Sequence, residues 1–404
     1  MIRAYKFLMR PTVGQQVALR EMLRDHCSLY NGALQERRDA YRHASKTSVR
    51  YGQQSGQLKD IRAFDPERQG RWSFSSQQAT LRRLDKAFAA FFRRIKVGDK
   101  PGYPRFRGAN WFDTVDFPKD GDGCRWNSTP HDSVTRVRFQ GVGHVKINQH
   151  RVVIGKVKTV SVKREGRKWV VVLTAEQSRP EPQPATGSVV GIDLGIASFL
   201  TDSNGVHIAN PRHARKAAAK LEVAQQALSR FPRRKVKDRT RNHQRAVDNV
   251  AQLHGKVRRQ RLDHAHKTAL SLVRQHDFIA HEDLKIRNMS KAPAPKPDPG
   301  KPNSFLPNGA ASKAGLNRSI ADAGWGVFLA ILNAKAESAG REVMAVDPRN
   351  TSRTCPECGY TAMENRPTQE KFHCLSCGHR AHADVVGATN VLRAGLVRRD
   401  ANQA

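Results

Sequence analysis

Cysteines at 355, 358, 374 and 377 constrain this chain more than any other feature of its sequence. They form C-x2-C, then fifteen intervening residues, then C-x2-C. Two such turns let four sulfurs converge tetrahedrally on one Zn2+ ion, the pattern of a zinc ribbon. Each pair is followed by glycine, Cys358-Gly359 and Cys377-Gly378, and glycine can turn the backbone back so that its amides face the sulfurs. The competing reading is a redox C-x-x-C, but a redox pair has no need of a second pair at ribbon distance. Four thiolates leave no open coordination position, so the ion is expected to be structural. Cys27 and Cys124 lie far apart in sequence. Cys27 falls in register with Leu19, Leu23, Tyr30 and Leu34 and reads as a core residue.

The charge bounds the partner. Lys and Arg number 71 against 36 Asp and Glu, a formal charge of +35. That excess points to a polyanion rather than to a small-molecule substrate. A membrane surface is the bland alternative, but there is no apolar run of about 18 residues to span a bilayer and no apolar signal segment after Met1. Nucleic acid is the expected partner. A length of 404 residues suggests two to four domains, and a hydrophobic content of 38% is enough for real cores. Thiolate zinc is also read more naturally in a reducing compartment than as disulfides.

The positive charge is uneven. From Arg212 to Arg261 there are sixteen Lys or Arg against three acids, Glu222, Asp238 and Asp248. Val247, Val250, Leu253 and Val257 recur at helical spacing there, so this is a long helix with one core stripe and a cationic remainder. The segment around Leu221, Ala224 and Leu228 reads as its antiparallel mate, with Pro232 in the turn. Charge of one sign excludes ordinary salt-bridge lacing and favours phosphate binding. Toward the N-terminus, Leu19 to Leu34, and then Leu81, Leu84, Phe88, Phe91 and Phe92, repeat at helical steps and predict a small helical lobe. Between about 133 and 176 the texture changes to period-two alternation, Val145 and Ile147, Val160 and Val162, Trp169 to Leu173, which predicts a compact antiparallel sheet or small barrel. Tyr103-Pro104-Arg105-Phe106-Arg107 links the two and alternates aromatic with guanidinium groups, as base-stacking or backbone-tracking segments do.

Glu181-Pro182-Gln183-Pro184 marks a boundary, and after it the chain places acids among apolar residues at three distant points. Val189-Val190-Gly191-Ile192-Asp193-Leu194-Gly195-Ile196 reads as a strand ending in Asp and passing through Gly into a second strand, the opening hairpin of a ribonuclease H-like fold. Phe278-Ile279-Ala280-His281-Glu282 is a short strand after a long helix. Asp384 opens a final helix, where it also serves as an N-cap candidate. An acid in such surroundings is costly unless a partner or metal offsets its desolvation. Asp193, Glu282 and Asp384 together could hold two Mg2+ ions about 3.5–4 Å apart, the arrangement that hydrolyses phosphodiesters. His281 and His382 adjoin these acids but stand at no zinc-protease or triad spacing, and they read as supporting or incidental.

The joint order of Gly191 to Ile196, His281 to Leu284, Cys355 to Cys377 and Asp384 to Asn390 resembles the TnpB family. These are RNA-guided nucleases of bacterial insertion sequences, related to compact type V CRISPR effectors. Tyr103 to Arg107 resembles the family's basic Pro-Arg-Phe-Arg segment, and Ser319 to Phe328 looks like the helix preceding its zinc finger. The resemblance implies an α+β multidomain fold: a helical recognition lobe and a small β-barrel wedge domain, joined to an RNase H-like (RuvC) α/β nuclease with an inserted zinc ribbon. It places the first wedge strand at 1–10, the lobe at 11–100 and the wedge barrel at 101–180. The nuclease spans 187–350 and 381–404, with the basic hairpin at 212–273 and the ribbon at 351–380. It further implies a guide RNA and double-stranded target DNA as partners, Asp193, Glu282 and Asp384 as magnesium ligands, and a bacterial cytoplasmic, nucleoid-associated location. Tyr51 and Gln78 resemble readers of a short DNA motif beside the target, and Arg105, Phe106 and Arg107 resemble nucleic-acid contacts. Two departures stand out: Val386 where the family often has Asn, and a loop over 291–303 with five prolines that could act as a lid.

Three functions compete on this sequence. The first is an RNA-guided DNA endonuclease, with the transposon or a CRISPR array as guide source. The second is a nuclease-silent RNA-guided repressor on the same scaffold, which the intact acids argue against. The third is a basic zinc-ribbon nucleic-acid chaperone, which leaves the acids unexplained. Guided recognition needs many cations and few base-reading groups, which fits the charge.

Overall fold

A computed structural model describes residues 1–109, 111–232, 238–301 and 303–403. The chain divides into two compact units, the first built on Met1–Arg179 and the second starting at Pro180, immediately before the proline-rich stretch.

The first unit runs β1 (Ile2–Arg10), α1 (Val13–Arg42), α2 (Tyr51–Gly56), α3 (Leu58–Phe64), α4 (Phe74–Lys96), β2 (Thr114–Phe117), β3 (Cys124–Arg125), β4 (Arg136–Phe139), β5 (Gly143–Asn148), β6 (Lys156–Glu165) and β7 (Lys168–Glu176). Its strands form one antiparallel sheet in the order β2-β6-β7-β1-β5-β4-β3. Alternation of apolar residues gives the sheet its inner face: Trp169, Val171 and Leu173 of β7 lie opposite Met9, Phe7 and Tyr5 of β1, and all six are buried. Phe117 and Phe139 belong to strands near opposite ends of that order, yet their rings are 5.3 Å apart. The sheet therefore curls into a nearly closed barrel.

Helix α1 starts at a capping box, in which Thr12 accepts from the Gln15 amide while the Gln15 side chain accepts from the Thr12 amide. Leu19, Leu23, Tyr30 and Leu34 of α1, Cys27 among them, share one hydrophobic core with Leu81 and Leu84 of α4 and with the barrel strands. The expected apolar stripe of α4 ends early, for Phe92 is 60% exposed. Leu81, Leu84, Phe88 and Phe91 step by three or four residues, whereas Phe92 follows Phe91 directly and is turned about 100° off that face.

The second unit runs β8 (Val189–Asp193), β9 (Ser198–Asp202), β10 (His207–Ala209), α5 (His213–Ser229), α6 (Arg241–Gln275), β11 (Phe278–Glu282), α7 (Ile286–Met289), β12 (Lys296–Pro297), β13 (Phe305–Leu306), α8 (Ala310–Ala323), α9 (Trp325–Ala339), β14 (Glu342–Val346), β15 (Lys371–His373), β16 (Arg380–His382) and α10 (Ala383–Gln403). Its main sheet has the order β10-β9-β8-β11-β14. The first three strands are antiparallel, and β11 runs parallel to both β8 and β14. Helices cover both faces. Val190, Ile192 and Ile279 pack with Ala269 and Leu272 of α6 and Phe328 and Leu332 of α9; Phe278, Ala280, Met344 and Val346 pack with Val391 of α10. A Cβ at Gly191 would lie 2.1 Å from the Ala388 carbonyl oxygen, so only glycine lets α10 come this close to β8.

The basic segment forms α5 and α6, which pack against each other; residues 233–237, between them, lie outside the described residues. Asp322 anchors the base of this pair: its carboxylate accepts from the Ala214 and Arg215 amides at the start of α5 and from Arg261 of α6 at 2.8 Å. The single helix expected over Ser319 to Phe328 is instead the junction of α8 and α9, broken at Gly324, whose φ of 71° is left-handed. The proline-rich stretch after Lys291 contains one strand of a small hairpin, β12 paired with β13; Pro302 lies outside the described residues. Among the described residues, no helix is long and apolar enough to cross a membrane.

Candidate active site

Two features of the second unit converge beside the β8–β11 ends, a quartet of thiols and a trio of acids. The sulfurs of Cys355, Cys358, Cys374 and Cys377 all lie within 4.8 Å of one another. Cys355 and Cys377 sulfurs are 3.6 Å apart, and those of Cys358 and Cys374 are 3.5 Å apart. A tetrahedron with Zn–S bonds of about 2.3 Å has edges of about 3.8 Å, so the donor set fits the zinc ion that the spacing predicts. Gly359 and Gly378 adopt φ of 76° and 75°. Their amides donate back to the Cys355 and Cys374 carbonyls, closing each turn around its sulfur pair. Asn365 ties the ribbon internally, donating to the Arg353 and Tyr360 carbonyls and accepting from the Leu375 amide.

The acids come from three elements. Asp193 ends β8, Glu282 ends β11, and Asp384 is in the first turn of α10. Because β8 and β11 are parallel neighbours, paired up to Ile192 and His281, both deliver their acids at the same, C-terminal end of the strands. Helix α10 crosses β8, and Gly387, one turn after Asp384, lies against the Asp193 side chain, so that a Cβ there would be in ordinary contact with its Oδ2 at 3.5 Å. The charges feel one another. Burial, then Glu282, then Asp384 push the Asp193 carboxyl up from its ordinary range to about 7. Burial also raises Glu282, offset by the Thr351 hydroxyl and Arg366. The three acids are more open than the thiols: among the described residues, only the cysteine quartet has all its donor atoms within 4.8 Å of one another.

Sequence reasoning missed two residues at this site. Thr351, buried at the entrance to the ribbon, donates its hydroxyl to Glu282 Oε1 at 2.6 Å. Arg366, between the two cysteine pairs, brings Nη2 to 3.3 Å from Asp384 Oδ1 while donating to the Gln369 carbonyl at 2.8 Å. No periodicity marks either one, since both are single polar residues in a segment whose pattern is set by metal binding. Asn390 of α10 secures the same region by donating to the Thr351 and Thr354 carbonyls, each at 2.7 Å. His281 turns Nδ1 to the Glu282 carbonyl oxygen, and His382 accepts from the Asp384 amide at 3.2 Å, so both support the backbone around the acids. Val386 is buried with Ala383, Phe372, Cys355 and Cys374, where an apolar side chain is the natural occupant.

The remaining residues singled out from the sequence lie in the first unit. Tyr51, at the start of α2, is partly buried beneath the Arg82 guanidinium of α4, 5.3 Å from its ring centre. Gln78 of α4 donates to Ser55 of α2 at 3.0 Å, so both flank the α2–α4 junction. Arg105, Phe106 and Arg107 are exposed, with Arg38 over the Phe106 ring at 5.8 Å.

A nearly closed barrel in one unit and a mixed sheet with a cysteine ribbon in the other define a multidomain α+β protein. The solved "mini-RNA-guided endonuclease CRISPR-Cas_phi3" superposes with a TM-score of 0.55 at 9% identity, covering 98% of this chain and 92% of that one. Residues 171–292 match the family model described as "Probable transposase" and residues 325–391 the one described as "Cas12f1-like, TNB domain". Residues 1–46 match a "Helix-turn-helix domain" model, although here they form a strand and one long helix. The chain is 32% identical to "Putative RNA-guided DNA endonuclease InsQ" of Escherichia coli (strain K12), over 98% of this chain and 92% of that protein. It is 30% identical to "Putative RNA-guided DNA endonuclease" of Streptomyces pristinaespiralis, over 98% and 89%. The chain belongs to the TnpB family.

Proposed function

We propose that this protein is an RNA-guided DNA endonuclease that cuts DNA at Asp193, Glu282 and Asp384 in a RuvC-type site. The observation that carries the proposal is the convergence of these acids, from residues nearly two hundred positions apart, at the C-terminal ends of β8 and β11. The β10-β9-β8-β11-β14 order, three antiparallel strands followed by two that run parallel to β8, supports an RNase H-like core over 187–350 and 381–404.

The chemistry follows from charge. Asp193 is lifted to about 7 because it is buried next to two further acids, so the site favours a cation that offsets their charge. Magnesium, with its preference for hard oxygen ligands, supplies activation of water and stabilisation of the departing 3′ oxygen when bound. Thr351 fixes Glu282 in one rotamer by its hydroxyl. Arg366 holds a fixed positive charge beside Asp384, where it can offset the charge that builds on the phosphate oxygens as the P–O bond breaks. Guide RNA and target DNA are bound electrostatically by a chain of +35, with sequence supplied by base pairing. Tyr51 and Gln78, across the α2–α4 junction, are proposed to read a short adjacent DNA motif, and Arg105 and Arg107 to track backbone.

The test uses the protein purified with its co-purifying RNA. Asp193→Ala is expected to retain RNA and target binding while cleavage falls below detection. Cleavage at the parental rate by this variant would remove the site assignment. Sequencing that RNA tests the guide: a constant scaffold with a variable 3′ end supports a transposon source.

A further inference from the structure

The C-terminal end of α4 and the segment that folds back over it carry features the nuclease site does not use. Between Phe88 and Arg107 there are five aromatic residues and six Lys or Arg, against one acid, Asp99. A soluble helix normally hides such rings, yet none of these five aromatics is fully buried. Phe92 is 60% exposed, Phe106 45% and Tyr103 44%. They are ordered nonetheless. Tyr103 stands edge-on to Phe88 at 5.6 Å and to Phe91 at 5.4 Å, while Phe92 packs against Phe91 at 5.2 Å and lies nearly parallel to Phe88 at 6.4 Å.

Cations surround this cluster, and among the described residues Arg93, Arg94 and Lys96 form no ion pair, whereas Arg37 at its base pairs with Asp85 at 3.1 Å. At the base of the cluster Arg37 places its guanidinium carbon 5.2 Å from the centre of the Phe88 ring, and its buried Nη2 has no hydrogen-bond partner among the described residues. A greasy partner would take the rings but strand the charges, and a duplex would take the charges but keep its bases stacked inside. Unpaired nucleotides satisfy both: their phosphates meet Arg93, Arg94 and Lys96, and their bases stack on exposed ring faces.

We propose that Phe92 and Tyr103, at the end of α4, form a stacking platform for unpaired nucleotides. This rests on the reading of the protein as a nucleic-acid enzyme, and it adds a single-strand site in the first unit. The nucleotides could belong to an RNA or to a displaced DNA strand; the chemistry is shared, and the test separates the two.

The experiment measures fluorescence anisotropy of full-length protein, without added divalent metal, against a labelled 12-nucleotide RNA, a DNA of the same sequence and an abasic DNA of the same length. Phe92→Ala is expected to weaken binding about ten-fold to at least one of the two base-bearing strands, as loss of a stacked base does. Phe92→Trp should restore it, and binding of the abasic strand should be unchanged. The strand that loses affinity identifies the source. Equal loss on the abasic strand, or no loss on either base-bearing strand, would overturn the proposal. So would sedimentation showing that Phe92→Ala only converts a dimer to a monomer. Because no cleavage is read and no metal is added, failure here leaves the nuclease assignment untouched.

Discussion

Arg366 reaches from the zinc ribbon to Asp384, with its Nη2 3.3 Å from the carboxylate. The ribbon thus does more than cap the fold, since it contributes a cation that favours the charged forms of Asp193 and Glu282 as well as pairing with Asp384. Arg366→Ala should reduce single-turnover cleavage by at least about a hundred-fold, the scale of losing one preorganised charge-stabilising donor. Arg366→Lys should recover part of that, because a point charge lacks the planar guanidinium. Unchanged single-turnover rates in both variants would assign Arg366 a purely structural place.

Asp193 makes folding sensitive to pH. Its folded pKa, about 7, lies above the ordinary 3.8, so between those values the folded state holds a proton that the unfolded state has released. The stability it contributes is fully present below about 4 and is lost as pH rises through 7. In metal-free protein, Asp193→Asn should therefore melt higher than the parent at pH 8, with the difference shrinking toward pH 5. Added magnesium should raise the parent's melting temperature more than the variant's. A constant difference across this range would mean that Asp193 is not strained by its neighbours.

Removal of one zinc ligand should act on folding before it acts on catalysis. Cys374→Ser is expected to lower bound zinc and folding yield together, because four thiolates are shared by one knot. Metal analysis alongside thermal melting checks this. A variant with no zinc and parental stability would refute a structural role.

At Gly191 the limit is steric. An added methyl would stand 2.1 Å from the Ala388 carbonyl oxygen and 2.7 Å from the Leu392 nitrogen, backbone atoms that cannot swing away. Gly191→Ala should cost about 1–3 kcal/mol by overpacking, read by denaturant unfolding. It should also slow cleavage by moving α10, with Asp384, off β8.

What the sequence made legible was what repeats or stands out chemically. Cysteine spacing gave the ribbon, and acids among apolar residues singled out Asp193, Glu282 and Asp384, which the fold brings within electrostatic reach of one another; that they hold metal is the proposal made above. Period-two alternation located β5, β6 and β7. The curl that brings Phe117 to Phe139 was only partly readable, since closure depends on contacts between strands far apart in order. The exposure of Phe92 was not readable from composition, because a phenylalanine beside Phe91 fits the same hydrophobic run until its rotation about the helix is fixed. Gly324 broke an expected helix through its left-handed φ, a backbone state no pattern reports. Arg366 and Thr351 stayed hidden because the ribbon, a loop organised around a metal, gives polar residues no periodicity.

Helix α10 brings Asp384 beside strands that ended more than a hundred residues earlier, and it also covers one face of β8 and β11. A chain interrupted before residue 383, whether on the ribosome or by a protease, keeps Asp193 and Glu282 but leaves Phe278, Ala280 and Met344 bare. Such a fragment exposes apolar strand surface that only the last helix covers, so the sheet cannot bury its second face until the end of the chain has been made.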